Sequence, residues 1–428
     1  MRICVVGAGI AGLACAYHLV RDGHEVVVVD SGTQVGSGTS KANGGQLSYS
    51  YVSPLAAPGA LRKAASWMLD GEAPLRMRLQ SDPKLWRWLI SFARACRQDV
   101  FERSTREMLT LAYHSRDVLA RMLQEHQLDF SYRQNGKLVV FRSEAELNAA
   151  AAVVQLQAAH GAKQQVLDAA GCLALEPALR DVAGQLAGGV YTPDEAVGDA
   201  FALCAALQQS LVADGKARFR LGERIDALEQ SNGKITAARA TKGAIQADHF
   251  VLANGIGAME LADTLGITLP LYPLKGYSLT TPVRPTDLPP RISITDAHHK
   301  VVYALLDEPD AGGAEGRLRV AGMVDLVGFG TELASGRVDL LERQAKSVFP
   351  AAGDWSRSEK WAGLRPATPD WKPVFGSSGY GNLWLDVGLG GLGFTLGCGT
   401  GEVLAALIAG RETAIPTSPY ALGRRNEA

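Results

Sequence analysis

The chain has 428 residues, 47 % of them hydrophobic, which is enough apolar material for large cores in about two or three domains. Its 43 basic and 44 acidic side chains give a formal net charge of −1, and this excludes the basic excess typical of nucleic-acid-binding proteins. The six cysteines contain no Cys-x-x-Cys pair, so the sequence predicts neither a metal site nor a dithiol motif.

Residues 1–30 predict a βαβ unit. Residues 2–6 and 25–29 are apolar runs typical of buried strands, and residues 10–21 between them fit a helix. The turn after the first strand carries G-x-G-x-x-G, whose glycines permit close approach of a pyrophosphate to the backbone and to the helix N-terminus. Asp30 ends the second strand, where a carboxylate accepts from a ribose hydroxyl and disfavours the 2′-phosphate of NADP. We therefore predict a dinucleotide site.

The segment from Ser31 to Gln46 is rich in glycine and small polar residues. Such a segment could lie along an extended cofactor, and an ordinary surface loop is the alternative. The opening motif alone is compatible with both FAD and NAD. A dehydrogenase using only NAD is disfavoured because no second nucleotide motif appears.

The middle of the chain alternates between helical and strand-rich regions. Residues 60–128 predict a helical segment with breaks at prolines. The dipeptides Asn135-Gly136 and Asn232-Gly233 each predict a β-hairpin turn. Strands dominate residues 271–330.

Four blocks of the sequence resemble the D-amino acid oxidase superfamily of flavoproteins, and within it most closely the small, catalytic subunits of bacterial D-amino acid dehydrogenases. The resemblance covers nearly the whole chain, up to about residue 410. It is carried by Gly7–Gly12 with Asp30, Ser40–Gln46, Tyr272–Leu279 and Trp361–Pro366, and Ser53–Gly59 adds to the narrower match.

The resemblance implies an α/β fold (α+β overall), in which a Rossmann-like FAD-binding domain joins a substrate domain built on an antiparallel sheet. The FAD-binding domain would be discontinuous, at 1–55, 170–270 and 355–428. The substrate domain would comprise 56–169, including the helical segment 60–128, and 271–354. FAD would be bound non-covalently, because Leu364-Arg365 stands where the sarcosine-oxidase branch has its linkage cysteine.

The implied reaction is oxidation of a small amino-acid substrate by hydride transfer from Cα to flavin N5. The imino acid would hydrolyse to a keto acid and ammonia, and a quinone or other carrier would accept the electrons. The glycine-oxidase branch has an arginine at the place of Leu392, and its segment matching 55–128 is shorter. Both differences favour the dehydrogenase branch. An oxygen-using oxidase and a flavin subunit of a hetero-oligomeric dehydrogenase remain the alternatives.

Arg365 is the first candidate for binding the substrate carboxylate, since a guanidinium pairs bidentately with a carboxylate. The alternative for this residue is a structural ion pair. Tyr277 and Tyr303 lie in predicted strands of the substrate domain, where a phenol could donate to the carboxylate, although core packing is the common role of a strand tyrosine.

The candidate cofactor residues lie in several separate segments. A glycine-rich loop over residues 388–395, followed by a predicted helix at 400–410, could approach the flavin ring and stabilise negative charge on it. The complete set is Gly7, Gly9, Ile10, Ala11, Gly12, Asp30, Ser31, Ser40, Asn43, Gly44, Gly45, Gln46, Leu47, Ile225, Ala253, Asn254, Gly255, Gly390, Gly391, Leu392, Gly393, Phe394 and Thr395.

Residues 61–106 combine an excess of basic side chains with Trp67, Trp86 and Trp88. This composition suits the surface of an anionic bilayer, and a solvated helix face is the alternative. The N-terminus resembles no signal peptide, and no apolar run is long enough to span a membrane. We therefore expect a cytoplasmic protein, with peripheral contact to the inner membrane as a hypothesis.

Overall fold

A computed structural model describes residues 1–62, 72–78, 80–310 and 312–424. One of its sheets has six strands, and all neighbouring pairs are parallel except the pair at one edge. In spatial order these strands are β19 (Val374–Ser377), β20 (Leu383–Val387), β13 (His249–Leu252), β1 (Arg2–Val6), β2 (Glu25–Asp30) and β9 (Ala217–Leu221).

Both faces of this sheet are buried, which explains why its strands are uninterrupted apolar runs. On one face, Val5 and Val28 join the core formed by α1 (Ile10–Arg21), α6 (Ala200–Ala213) and α9 (Gly393–Ile408). On the other face, Val6 and Val29 join the core beneath a three-stranded sheet and α7 (Ala258–Thr264). The three-stranded sheet comprises β10 (Ile225–Ser231), β11 (Lys234–Ala240) and β12 (Gly243–Ile245).

The largest sheet of the described chain has nine strands and is mostly antiparallel. In spatial order, eight of its strands are β18 (Glu359–Ala367), β14 (Tyr272–Val283), β17 (Gly316–Leu326), β16 (Val301–Asp307), β15 (Ser293–Asp296), β5 (Lys137–Phe141), β7 (Gly188–Thr192) and β6 (Gln165–Asp168). The ninth strand, β4 (Leu75–Met77), pairs with β17. Helix α8 (Ser335–Val348) packs on one face, where Val338 and Leu341 belong to the same apolar core as the inward side chains of the sheet.

Sheet membership bears on the expected domain boundaries. β7 and β18 lie in the nine-stranded sheet, although their residues fall within the segments assigned to the FAD-binding domain. The boundaries themselves stay a prediction.

The remaining helices described before residue 176 are α2 (Pro83–Ala95), α3 (Gln98–Glu125), α4 (Glu144–Ala158) and α5 (Ala169–Leu175). The predicted helical segment is confirmed over 83–125, but Leu75–Met77 forms a strand instead. Residues 63–71 and 79 of that segment lie outside the described residues. Among the described helices, none combines the length and apolar character needed to cross a bilayer.

The two Asn-Gly dipeptides have different outcomes. Asn232 and Gly233 adopt φ values of 49° and 74° between β10 and β11, so that hairpin is confirmed. The hairpin at Asn135-Gly136 is wrong, because β5 pairs with β15 and β7 and not with the preceding residues. Long-range bonds explain this outcome: the Asn135 amide donates to the Arg291 carbonyl, and the Gly136 N–H donates to the Glu195 carbonyl.

Candidate active site

The carboxyl ends of β1, β2, β13 and β20 meet at one edge of the six-stranded sheet, where open α/β sheets bind their ligands. Gly7 follows β1 with φ of 115°, and a Cβ added there would stand 2.5 Å from the Ala253 carbonyl oxygen. A Cβ on Gly12 would overlap the Gly7 carbonyl oxygen. These two glycines therefore allow strand, turn and helix to pack at the distances seen.

Helix α1 begins at this edge without a side-chain cap on its N-cap residue, Gly9. The Ile10 N–H donates to the Ser40 hydroxyl at 3.2 Å, and the following N–H groups of the first turn have no intrahelical acceptor. Asp30 accepts from the backbone N–H groups of Ala8 and Gly32, each at 2.7 Å, so its carboxylate holds the turn in place. The arrangement fits a pyrophosphate at the helix N-terminus and a ribose beside Asp30.

Further candidate residues border the same edge. The Asn254 side-chain oxygen is buried and has no hydrogen-bond partner among the described residues. Such an atom is unusual in a folded protein and points to a donor outside the chain. Gly222 and Glu223 donate backbone N–H groups to the carbonyls of Gly32 and Asp30, which brings the start of β10 at Ile225 next to the end of β2.

The segment Asn43–Leu47 lies flat on the nine-stranded sheet. A Cβ on Gly44 would stand 2.9 Å from Val302 Cγ2, so only a glycine permits this approach. Arg319 of β17 donates to the Asn43 carbonyl at 2.7 Å, and this hydrogen bond attaches the loop to the sheet. Gln46 and Leu47 then form the short strand β3, which pairs with β8 (Ala196–Val197).

The glycine-rich loop near the C-terminus is shorter than predicted, because α9 begins at Gly393 and not at residue 400. Gly393, Phe394 and Thr395 therefore form the first turn of a helix that has no side-chain cap at Leu392. The Thr395 hydroxyl accepts from the Ser48 N–H at 3.0 Å, so this helix start adjoins the loop after β3. An uncapped helix N-terminus favours negative charge near it.

Arg365 on β18 lies between the nine-stranded sheet and this glycine-rich loop. Its guanidinium covers Gly276 so closely that a Cβ there would overlap it, and its Cδ is 3.6 Å from the position of a Cβ on Gly391. Nη1 donates to the Met323 carbonyl at 2.8 Å, which is its one hydrogen bond to a described residue. Burial lowers the pKa of Arg365 to about 10, and the nearby Asp325 opposes that shift. The side chain therefore remains charged at neutral pH with donors to spare.

Behind Arg365 stands a buried charge cluster centred on Asp325. This carboxylate is fully buried; it forms ion pairs with Arg76 at 2.8 Å and with Arg337 at 2.9 Å, and it accepts a hydrogen bond from the Tyr277 hydroxyl at 3.0 Å. Two residues earlier, Met323 has φ of 62°, a left-handed value that costs a non-glycine residue about 1–3 kcal/mol. The cluster thus stabilises the bulge in β17 that directs the Met323 carbonyl toward Arg365.

Tyr277 and Tyr303 lie on the other face of the nine-stranded sheet. Both are buried in the core beneath α8, where Tyr303 packs edge-on against Phe349 at 4.9 Å between ring centroids. Burial raises the pKa of both phenols. Cross-strand neighbours Val302 and Ala321 point to the face that carries Arg365 and the loop at Gly44. The structure therefore does not bring either tyrosine together with Arg365.

Lys137 and Glu195 are two buried, electrostatically coupled side chains that the sequence did not indicate. Lys137 Nζ donates to Gln46 Oε1 and to the Ser48 hydroxyl, each at 2.8 Å, and Glu195 accepts from the Ser50 N–H at 2.7 Å. Burial lowers the pKa of Lys137 to about 8 and raises that of Glu195 to about 7. The pair fastens the segment after β3 to the sheet. Lys137 follows an Asn-Gly dipeptide, so its position suggested an exposed hairpin.

Comparison with known proteins agrees with this geometry. The family model described as FAD dependent oxidoreductase (DAO) matches residues 2–407. The chain is 46 % identical over 418 residues to D-amino acid dehydrogenase 2 of Pseudomonas aeruginosa, covering 97 % of each chain. It is 42 % identical to D-amino acid dehydrogenase 2 of Ralstonia nicotianae, covering 99 % of this chain and all of that one.

Solved structures share the fold at low sequence identity. Glycine oxidase from Geobacillus kaustophilus superimposes with a TM-score of 0.76 at 22 % identity, over the full length of both chains. L-proline dehydrogenase from P. horikoshii gives a TM-score of 0.72 at 17 % identity, covering 99 % of this chain and 97 % of that one. The match over nearly the whole sequence shows that the chain belongs to the DAO family of FAD-dependent oxidoreductases.

Proposed function

We propose that the protein oxidatively deaminates a D-amino acid to the corresponding keto acid and ammonia. The observation that carries the proposal is a charged guanidinium with unused donors, held between a rigid sheet and the glycine-rich loop preceding α9. A fork of this kind binds a carboxylate and fixes its orientation. The names of the two dehydrogenase relatives support an amino-acid substrate of the D series.

In this proposal Arg365 holds the substrate carboxylate and thereby fixes the direction of the Cα–H bond. FAD, when bound, supplies the two-electron acceptor for the hydride that leaves Cα. The amine lone pair forms the C=N bond, the amine proton passes to solvent, and water then converts the imine to the keto acid and ammonia. Positioning supplies much of the rate, so the reaction requires no dedicated general base.

The cofactor residues would divide the FAD molecule between them. The α1 N-terminus and Asp30 would hold the pyrophosphate and ribose, and Asn254 would gain the donor that its buried oxygen lacks. Residues Asn43–Leu47 and the N-terminus of α9 would border the flavin. The sequence places no cysteine at the expected linkage position, so binding would be non-covalent.

The experiment for this proposal follows products and acceptor together. The purified holoenzyme is supplied with D-amino acids and a soluble quinone analogue, and keto acid, ammonia and peroxide are measured. We expect equal amounts of keto acid and ammonia, dependent on the quinone analogue and with little peroxide in air. Peroxide formed in equal amount to keto acid would identify an oxygen-using oxidase instead. Absence of both products with every D-amino acid would contradict the proposal.

We further propose that the electron acceptor is a membrane quinone reached by peripheral contact with the cytoplasmic face of the inner membrane. Helix α2 supports this, because Trp86 and Ile90 are exposed beside the exposed basic residues Arg87 and Arg94. Its inner face adjoins the site, since the buried Trp88 donates to the Ala367 carbonyl at 2.8 Å. Trp88 thus belongs to the core, and Trp67 lies outside the described residues.

Vesicle binding tests this second proposal. Wild-type protein should bind anionic vesicles at low salt and be released as salt screens the charges, and Arg87→Glu with Arg94→Glu should weaken binding. Arg357→Glu is the matched control, because Arg357 pairs with Glu315 on an exposed surface of another element. Equal loss in the control, or no binding by wild type, would contradict the proposal.

A further inference from the structure

Trp371 stands beside the candidate substrate site in an unusual backbone conformation. It follows β18 with φ of 66°, a left-handed value that is uncommon for a bulky residue. Its side chain is partly exposed and packs against both the core around α1 and the apolar cluster around Trp88 and Tyr272. A residue in such a conformation persists only where its surroundings impose it.

Buried charges impose this conformation on the turn around Trp371. Asp370, which is 3 % exposed, accepts from Arg424 at 2.8 and 3.0 Å. Lys372, which is 2 % exposed, donates to Glu107 at 2.6 Å. The residues on both sides of the tryptophan are therefore fixed by ion pairs that the backbone cannot leave without burying unpaired charges.

The fixed turn directs the benzo edge of the indole ring toward the glycine-rich loop. Ring carbons of Trp371 lie 3.5 Å from the position of a Cβ on Gly390 and 3.8 Å from that on Gly391. The same position on Gly391 is 3.6 Å from Arg365 Cδ and 3.9 Å from Arg365 Nε. The Trp371 indole and the Arg365 guanidinium therefore both lie next to the backbone at Gly391, and the apolar ring is close to the charged group.

We propose that Trp371 is a specificity-determining residue, whose indole ring forms an apolar wall for the side chain of an amino acid bound at Arg365; this inference rests on the proposed function. The side chain of an amino acid begins one bond from Cα and two bonds from the carboxylate carbon. A substrate whose carboxylate binds the Arg365 guanidinium can therefore place its side chain against the Trp371 indole at the same time. The substrate class is accordingly a D-amino acid with an apolar side chain longer than that of alanine.

Three variants separate this role from a structural one. Trp371→Gly removes the ring and is compatible with the left-handed backbone, so its fold should be retained. Trp371→Phe restores an aromatic ring on the same backbone. Trp384→Phe is the control, because Trp384 lies in β20, where its indole donates to His249 at 3.0 Å.

Two measurements on the holoenzyme are compared, and the first is independent of turnover. Equilibrium binding of 4-methylpentanoate and of acetate is read from the flavin spectrum, and kcat/KM is measured for D-leucine and D-alanine. In Trp371→Gly we expect the preference for the longer ligand to fall about tenfold in both measurements, since a few methylene groups on an apolar wall are worth at least that factor. Trp371→Phe should recover most of the preference, and Trp384→Phe should retain it.

An unchanged or increased preference for the longer ligand in Trp371→Gly would overturn the inference. Failure of the proposed function has a different signature. In that case no D-amino acid is turned over by wild type, while the carboxylate-binding preference still reports on Trp371.

Discussion

Replacement of Arg365 by alanine is the most informative single perturbation. The guanidinium lies over Gly276 and donates to the Met323 carbonyl at 2.8 Å, with its other donors unused. Removing one partner of a desolvated charge pair costs about 2–5 kcal/mol, which corresponds to roughly one and a half to three and a half decades in kcat/KM. FAD content should be unchanged, because Arg365 takes no part in the cradle at β1, β2 and α1.

Arg365→Lys should recover only part of the loss, since an ammonium group cannot reproduce the bidentate fork. Each variant is assayed by steady-state kinetics with a D-amino acid and with the corresponding amine that lacks the carboxylate. The amine should be affected far less by either substitution, because it never makes the contact. If Arg365→Ala lowers kcat/KM equally for both substrates, Arg365 does not bind the carboxylate and supports the fold or the flavin instead.

Three further predictions concern the cofactor and the core. Acid precipitation should release FAD into the supernatant, and flavin retained in the pellet would contradict non-covalent binding. Gly12→Val should yield protein with little FAD, measured by the ratio of flavin to protein absorbance, because a Cβ there would overlap the Gly7 carbonyl oxygen; normal FAD content would contradict this account of the turn. Burial raises the pKa of Asp386 from 3.8 to about 7, so the fold favours its protonated form and loses stability as pH rises between those values. Asp386→Asn should remove this decline, seen as a higher Tm than wild type above that range; an equal or lower Tm there would contradict it.

The geometry of the turn at the predicted cofactor site was largely predictable because its determinants are local in sequence. Gly7, Gly12 and Asp30 belong to one βαβ unit, in which strand, turn and helix follow directly from residue spacing. Each has a steric or hydrogen-bonding role that only its own side chain, or the absence of one, can fill. The start of α9 was placed too late, because the glycines of its first turns resemble a loop in sequence. They permit close packing against α1 instead, as at Gly397 beside Ile10 and Ala11.

The substrate side was less predictable, since it depends on which face of a large sheet meets the cofactor. The alternation of side chains along β14 and β16 defines two faces of the sheet, but the sequence does not indicate which face α8 covers. Tyr277 and Tyr303 therefore remained plausible until the register was known. Lys137 and Glu195 are far apart in sequence, and their electrostatic coupling arises only because β5 lies near the segment before β8. Neither residue lies in a motif that marks a buried charge.

We propose that this site transfers electrons from a D-amino acid to bound FAD. The most direct measurement mixes the oxidised protein, without oxygen, with single amino acids of either configuration and follows the visible absorbance of the flavin. We expect rapid bleaching by D-amino acids, a much slower response to their L enantiomers, and loss of the rapid phase in Arg365→Ala. Bleaching by neither enantiomer, or equal bleaching by both, would contradict it.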